Sequence, residues 1–303
     1  MSILSDLIVR VLSTMPTPVM RYFSSKYIAG VTVEEALERL QSINDEGFAG
    51  ILDILGEDAD GERGARAALE AYKVACSKLA ASKLISYVSA KPTHFGLRTG
   101  EDLCFEIYSA LATHCQGLGQ FLRVEMEDHT TTDGTLRVFN RLLQKHGNVG
   151  IVLQSRLFRN GSDIEALLAK LPADRTLNVR MVKGIYLEPS NTAHTSYESI
   201  ARAYVDQSRQ LFEGGAKVCL ATHDSQMAEE LVALVSELQI PKERYEFQVL
   251  MGVLKPIWKV WLDAGHPVRV YVPFGPDWKA YSLRRLKKNP KLLTQITLGI
   301  FRR

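Results

Sequence analysis

Residues 84–129 read LISYVSAKPTHFGLRTGEDLCFEIYSALATHCQGLGQFLRVEMEDH. Two short runs rich in apolar residues, 84–90 and 121–126, enclose a longer run, 101–118, that starts with two acidic residues. Short apolar runs are typical of buried strands, and the longer run is typical of a helix. The stretch therefore predicts a strand, a helix and a second strand, an order that gives parallel strands with the helix outside the sheet.

The same alternation continues along most of the chain. The predicted strands are 48–55, 84–90, 121–126, 149–154, 177–182, 217–221, 245–250 and 268–272. The predicted helices are 64–83, 101–118, 135–146, 163–171, 197–213, 226–238, 254–264 and 277–288. Eight strand–helix units favour an α/β fold that closes into a (β/α)8 TIM barrel over an open doubly wound sheet.

Further helical segments precede the first strand, at 2–13, 20–29 and 33–44. No linker rich in Gly, Ser or Pro separates them from the strands, so we interpret 1–46 as an N-terminal helical arm packed on a barrel of residues 47–303. The final helix, 277–288, is expected to lie over the carboxyl-terminal mouth of the barrel.

The composition indicates a folded, mildly basic protein. Hydrophobic residues make up 46% of the 303 residues and charged residues 23%, with a formal net charge of +3. These values argue against disorder and against a nucleic-acid partner. The four cysteines form no CxxC pair and indicate reduced thiols. No window of about 18 residues is free of charge, and no signal-peptide pattern is present, so we expect a cytoplasmic protein without a transmembrane segment.

Polar residues collect where the predicted strands end, and in a parallel barrel these ends form the active-site mouth. The strand ends read AKPT (90–93), EMEDH (125–129), QSR (154–156), RMVKGIY (180–186), ATHD (221–224) and RVYVPFG (269–275), and strand seven carries EFQ (246–248). A purely structural barrel does not need such a mouth. The sequence contains no GxGxxG, GxxxxGK[ST], GxSxG or HExxH motif, so the mouth itself would have to hold any cofactor.

The last predicted helix adds a possible anion site. Tyr281, Arg284 and Arg285 have i, i+3, i+4 spacing and can share one helix face. Two adjacent guanidinium groups suit a carboxylate held by paired hydrogen bonds. The alternative is a solvated basic face, because three lysines are close in sequence.

Five of these blocks resemble the signature blocks of proline dehydrogenases: RMVKGIY (180–186), ATHD (221–224), YEFQVLMG (245–252), RVYVPFG (269–275) and YSLRRLKKNP (281–290). KYIAGVTVEEALERLQSINDEGFAGILDILGE (26–57) is similar to the lead-in of the monofunctional bacterial members. The resemblance covers essentially the whole chain. The chain lacks room for the aldehyde dehydrogenase domain of the bifunctional enzymes, so we expect the stand-alone form.

The resemblance implies a cytoplasmic flavoprotein that uses FAD to oxidise L-proline to Δ1-pyrroline-5-carboxylate, the first step of proline catabolism to glutamate. It also implies that a quinone at the membrane surface reoxidises the flavin, which would bring the protein to the inner face of the membrane; an oligomer is compatible with the sequence. The implied catalytic residues are Asp128 and Arg180. The implied substrate-binding residues are Lys91, Tyr271, Tyr281, Arg284 and Arg285. The implied FAD-binding residues are His129, Gln154, Arg180, Lys183, Gly184, Ile185, Thr222 and His223, and no metal is implied.

Two points are left open by the residues. Asp128 is a candidate base for the substrate amine, but it could equally orient Lys91 or Arg180 by ion pairing. The chain also departs from the family pattern at Ile185, Leu187 and Lys288, where a small residue, a tryptophan and an acidic residue are usual.

Two other functions remain as alternatives. The first is a metal-dependent barrel lyase or hydrolase, in which residues at two strand ends would bind a divalent cation: Glu127, Asp128, His129, His223 and Asp224. The second is a degenerate barrel that acts as a binding or scaffold module without turnover.

Overall fold

The computed structural model describes residues 20–21, 24–253 and 255–288; for residues 255 and 284–288 it describes the main chain alone. The predicted helix 2–13 lies outside the described residues. The predicted helix 20–29 is helical at residues 20, 21 and 24 and then turns at 25–27. It stops there because the next residues bond to the end of the last strand, with the Ala29 amide donating to the Pro273 carbonyl at 2.9 Å.

Strands and helices alternate along the described chain. The strands are β1 (Ala49–Ile54), β2 (Ser86–Ala90), β3 (Leu122–Val124), β4 (Val149–Gln154), β5 (Asn178–Val182), β6 (Lys217–Ala221), β7 (Tyr245–Leu250) and β8 (Val268–Phe274). The helices are α1 (Val33–Asp45), α2 (Gly61–Ser82), α3 (Glu101–Gly117), α4 (His129–Lys145), α5 (Asn160–Ala169), α6 (Tyr197–Glu213), α7 (Ser225–Glu237), α8 (Lys255–Asp263) and α9 (Trp278–Lys288). A short 3-10 helix, Lys242–Arg244, precedes β7.

The eight strands form a closed parallel barrel in sequence order. The first and last strands close it, with partners running from Ala49 and Arg269 to Ile54 and Phe274. The predicted (β/α)8 barrel is therefore confirmed. Outward-facing strand residues such as Leu52, Val88 and Val124 pack with the helices in one large apolar core. Because all eight strands are parallel, their carboxyl ends meet at one mouth of the barrel.

Helix α1 packs on the outer side of β1 and β8. A Cβ at Gly50 would lie 2.0 Å from Leu40 Cδ1, so glycine is needed for this close approach. A capping box formed by Thr32 and Glu35 fixes the start of α1. The predicted division at residue 47 falls between α1 and β1 and stays a prediction.

Helix α9 lies beside the carboxyl end of β1, as predicted for the final helix. Trp278 and Tyr281 pack against a small cluster formed by Tyr27, Ile28 and Leu55. The residues before α1 and helix α9 therefore pack against each other beside the mouth.

Helix α4 begins six residues earlier than the sequence pattern predicts, at His129 instead of residue 135. Three consecutive threonines follow His129, and β-branched residues weaken a helix prediction. The side chain of Asp128 overcomes this by accepting a hydrogen bond from the Thr130 amide at 2.9 Å, as a helix N-cap does.

Candidate active site

The barrel interior contains a continuous network of buried polar side chains that runs from the amino ends of β7 and β8 towards the mouth. Arg269 donates to Glu246 at 2.8 Å, and Gln248 donates to the same carboxylate at 2.5 Å. Arg180 donates through Nε to Gln248 Oε1 at 2.6 Å and through Nη1 to Glu125. Each charge in this network has an opposite charge or a dipole beside it, which offsets the free-energy cost of burying the charge.

One nitrogen of Arg180 has no bond within this network of side chains. Its Nη2 atom is buried and has no hydrogen-bond partner among the described residues. The guanidinium carbon lies 5.3 Å from the centroid of the Tyr271 ring, within cation–π range. Burial alone would lower the pKa of Arg180, but the Glu125 carboxylate outweighs it and raises the pKa, so the group stays charged.

Lys91, which directly follows β2, is a second buried cation with unsatisfied bonding capacity. Its side chain is 12% exposed, and Nζ lies 3.8 Å from Asp53 and 3.5 Å from Glu57. Both separations are too long for a good hydrogen bond, and Nζ has no hydrogen-bond partner in the described part of the chain. Although burial opposes it, the nearby carboxylates raise the pKa of Lys91, so the ammonium group stays charged.

Asp53, near the end of β1, is a site residue that the sequence reasoning missed. It is 1% exposed, and its Oδ1 accepts a hydrogen bond from the Tyr72 hydroxyl at 3.1 Å. Burial raises the pKa of Asp53 to about 6, against the opposing effect of Lys91. The available signal was a single carboxylate inside the apolar run 48–55.

Asp128 does not pair with Lys91 or Arg180. Besides capping α4, its carboxylate lies 3.6 Å from Arg98, and its side chain is 33% exposed. The ion pairs that we considered for Asp128 belong instead to Asp53, Glu57 and Glu125. The strand ends alone could not predict which carboxylate pairs with which cation, because Glu125, Glu127 and Asp128 lie within four residues of the sequence.

Glu127 and Gln154 connect the ends of β2, β3 and β4. Glu127 accepts from the Thr93 amide at 2.9 Å and from the Thr93 hydroxyl at 2.8 Å. Burial raises the pKa of Glu127 even though these hydrogen bonds oppose it. The Gln154 amide donates to the Glu127 carbonyl at 2.6 Å, which fixes the side of the mouth where Gln154 lies.

Gly184 marks a point of close approach in the segment after β5. Its φ of +95° favours glycine, and a Cβ there would lie 2.7 Å from Gln154 Oε1 and 2.8 Å from Arg156 Cδ. Two of the next three residues point outwards, with Ile185 71% exposed and Leu187 91% exposed.

Lys183 forms a second polar cluster on the rim. Its Nζ lies 2.5 Å from Asp224 Oδ2 and 4.7 Å from the centroid of the Tyr197 ring. The Tyr197 hydroxyl donates to the same carboxylate at 2.6 Å. Although partial burial opposes it, these bonds lower the pKa of Asp224 to about 2. Lys183 is thus fixed at the rim with its charge balanced.

The remaining candidate cofactor residues lie at the ends of β3 and β6. His129 Nδ1 lies 2.5 Å from the buried Glu188 carboxylate. Thr222 accepts from the Asp224 amide at 3.0 Å, and His223 Nε2 accepts from the Leu250 amide at 2.9 Å. The Glu188 contact could not be predicted from the sequence, because this residue lies in an irregular segment.

The aromatic residues of the predicted substrate pocket come together near Lys91. Tyr271 faces Arg180 and Asp53, and Tyr281 lies near both Lys91 and Tyr271. Arg284 and Arg285 lie on α9, but their side chains fall outside the described residues.

The metal-site alternative depends on carboxylates and imidazoles at the ends of β3 and β6. In the part of the chain that the structure describes, no three His, Cys, Asp or Glu residues lie close enough to hold an ion. The candidate ligands are engaged elsewhere, Glu127 with Thr93 and Asp224 with Lys183.

The sequence model of the family described as "Proline dehydrogenase" matches residues 36–296 of this chain. The chain belongs to the proline dehydrogenase family. The matched range contains the whole barrel. Among the described residues, none of the helices combines the length and the hydropathy that a bilayer-spanning segment needs.

Curated proline dehydrogenases match the chain over nearly its full length. A proline dehydrogenase of Deinococcus radiodurans is 32% identical over 284 residues, which is 92% of this chain and 90% of the relative. Proline dehydrogenase 1 of Bacillus subtilis is 29% identical over 93% of this chain and 92% of the relative. The bifunctional protein PutA of Escherichia coli is 23% identical over 89% of this chain but only 23% of its own length.

Solved structures support the fold. The barrel superposes on proline utilization A (PutA) from Bdellovibrio bacteriovorus, inactivated by N-propargylglycine, with a TM-score of 0.81 and 24% identity. The match covers 87% of this chain and 32% of the larger protein. PutA from Bradyrhizobium japonicum gives a TM-score of 0.72 over 86% of this chain and 30% of its own.

Proposed function

We propose that this member of the proline dehydrogenase family oxidises L-proline to Δ1-pyrroline-5-carboxylate with FAD as its cofactor, and that a quinone then receives the electrons. The observation that carries the proposal is the pair of buried cations at one mouth, Lys91 and Arg180. Each has a nitrogen without a hydrogen-bond partner among the described residues. A buried cationic donor left unsatisfied is costly, so both nitrogens favour an anionic or strongly accepting ligand.

Three features of the mouth support the proposed flavin site. Gly184 brings main chain to a point where any Cβ would meet Gln154, and Arg180 has a buried donor without a hydrogen-bond partner among the described residues. Exposed Ile185 offers apolar surface beside them. The residues that would hold FAD are His129, Gln154, Arg180, Lys183, Gly184, Ile185, Thr222 and His223. When bound, FAD supplies the acceptor for the hydride that leaves the carbon next to the proline nitrogen.

Lys91 is the residue that would bind the proline carboxylate. Its ammonium is desolvated, charged and flanked by Asp53 and Glu57 at distances that leave its N–H groups available. Arg284 and Arg285, on the helix beside the mouth, would complete the clamp. Tyr271 and Tyr281 would exclude water and shape a pocket for a five-membered ring.

Arg180 would act at the reacting end. A guanidinium with one free edge stabilises negative charge that arrives beside it, and in a dry cavity this effect is large. Asp128 would act from the rim, where its carboxylate faces Arg98. The nitrogen of proline must lose its proton before the hydride leaves, and we propose Asp128 or the more deeply buried Asp53 as the carboxylate that accepts it.

The test is turnover by the purified protein with L-proline and an artificial electron acceptor. We expect Δ1-pyrroline-5-carboxylate as the product, FAD in the denatured extract, and competitive inhibition by a cyclic carboxylate that lacks the amine. Activity that is lost with a chelator and restored by a metal would favour the lyase or hydrolase instead. A folded protein without turnover would favour the scaffold.

A further inference from the structure

Three neighbours hold Arg180: the Gln248 amide, the Glu125 carboxylate and the Tyr271 ring. Nε donates to Gln248 at 2.6 Å, Nη1 donates to Glu125, and the Tyr271 ring lies 5.3 Å away. Only Nη2 is left without a partner among the described residues. The direction of this one free donor is therefore set by the residues that hold the other two nitrogens.

Gln248 can present its amide in one orientation only. Arginine has no acceptor, so the Gln248 oxygen must face Arg180. The Gln248 nitrogen then donates to Glu246 at 2.5 Å and to the Tyr87 hydroxyl at 2.8 Å. Glu246 is fixed in turn by Arg269, and despite burial this pairing lowers the pKa of Glu246, which remains an ionised acceptor. A flipped amide would set a donor against Arg180 and an oxygen against a carboxylate.

Glu125 plays a different part. It is also bonded by the Ser89 hydroxyl, so its carboxylate is fixed independently of Arg180. Its side chain is 11% exposed and that of Arg180 is 5% exposed, so water does little to screen the pair. Glu125 therefore cancels part of the positive charge that Arg180 brings to the cavity.

We propose that Gln248 and Glu125 are positioning residues for Arg180, with Gln248 fixing the direction of Nη2 and Glu125 limiting the positive charge at the flavin. This inference rests on the proposed function, since it assumes that Arg180 faces bound FAD. Because one residue sets geometry and the other sets charge, their removal acts on the flavin reduction potential in opposite directions.

The test measures that potential in two variants. Gln248→Met keeps the side-chain length but loses the acceptor, so Nη2 turns away and reduction becomes at least tenfold less favourable, about 30 mV lower for a two-electron couple. Glu125→Gln keeps an acceptor for Nη1 and removes the charge, so reduction becomes at least tenfold more favourable, about 30 mV higher. The matched control is Gln120→Met, a half-buried glutamine just before β3 at the other end of the barrel, whose amide bonds to Cys76; its potential stays unchanged.

A merely structural role would lower the melting temperature without moving the potentials in opposite directions. Unchanged potentials, shifts of the same sign, or a Gln248→Met protein that folds but loses its flavin would overturn the inference. The wild-type protein separates this outcome from failure of the proposed function. A wild-type protein without flavin rejects the proposed function, whereas a flavin-loaded protein whose potential ignores both substitutions rejects only the positioning roles.

Discussion

Lys91 Nζ lies 3.8 Å from Asp53 Oδ2, and both atoms are buried without a hydrogen-bond partner in the described part of the chain. The two groups attract each other, but the distance leaves each able to bond to something else. A pair of this kind is suited to a zwitterionic ligand, because the ammonium favours a carboxylate and the carboxylate favours an amine. In proline, the amine and the carboxylate are bonded to the same carbon atom.

Lys91→Met should raise the KM for proline by tenfold or more while FAD stays bound. The variant loses charge-assisted hydrogen bonds worth about 1.5–3 kcal/mol, and about 1.4 kcal/mol corresponds to a factor of ten in binding. The measurement is steady-state kinetics together with flavin content. Lys78→Met is the matched control, since Lys78 is half-exposed and pairs with Glu34 on the outside of the barrel. An unchanged KM for Lys91→Met would remove Lys91 from the substrate site.

Asp53→Asn should change how stability depends on pH. Burial raises the pKa of Asp53 from 3.8 to about 6. The folded state therefore binds this proton more tightly, and the resulting stabilisation is present below about pH 4 and is lost as the pH rises through 6. Asparagine does not titrate, so the variant should gain on the wild type by up to about 3 kcal/mol between pH 4 and pH 7. Urea denaturation at several pH values measures this, and a difference that stays constant with pH would show that the carboxyl is not shifted.

The sequence predicted the barrel well because each of its eight units repeats one strong pattern. Strands β4, β6 and β7 begin and end at the predicted residues, since a continuous apolar run defines them. The start of α4 was missed because a single capping contact from Asp128 decides it against three unfavourable threonines.

The partners of the site residues were predicted less well. Strand alternation shows that Glu125 and Arg180 face inwards, but which carboxylate meets which cation depends on the register across several strands. Asp53 is a clear example, because its importance follows from Lys91, 38 positions later in the chain. Such pairings need three-dimensional coordinates.

Substitutions at Asp128 should separate its capping role from its role in turnover. Asp128→Ala loses the cap of α4 and should cost about 1 kcal/mol, which lowers the melting temperature by roughly 2–4 °C in a domain of this size. Asp128→Asn keeps an acceptor for the Thr130 amide and should keep its melting temperature, yet lose turnover with proline because the charge is gone. If both variants lose the same stability, the cap does not explain the first; if Asp128→Asn is fully active, the charge has no catalytic role.

Gly184→Ala should release FAD. The positive φ and the contact with Gln154 together make a side chain here unfavourable by about 1–3 kcal/mol. The backbone would have to move at the proposed flavin site. Gly119→Ala is the control, because Gly119 has a φ of +67° and open space around it. Flavin occupancy after gel filtration should fall only for Gly184→Ala, and equal occupancy in both variants would place the flavin elsewhere.

The most direct measurement is the visible spectrum of the purified protein under anaerobic conditions, before and after L-proline is added. The proposal predicts flavin absorbance at near one equivalent per chain that is bleached by L-proline and much less by D-proline. A colourless protein that cannot be loaded with FAD, or bound flavin that stays oxidised in excess L-proline, would contradict it.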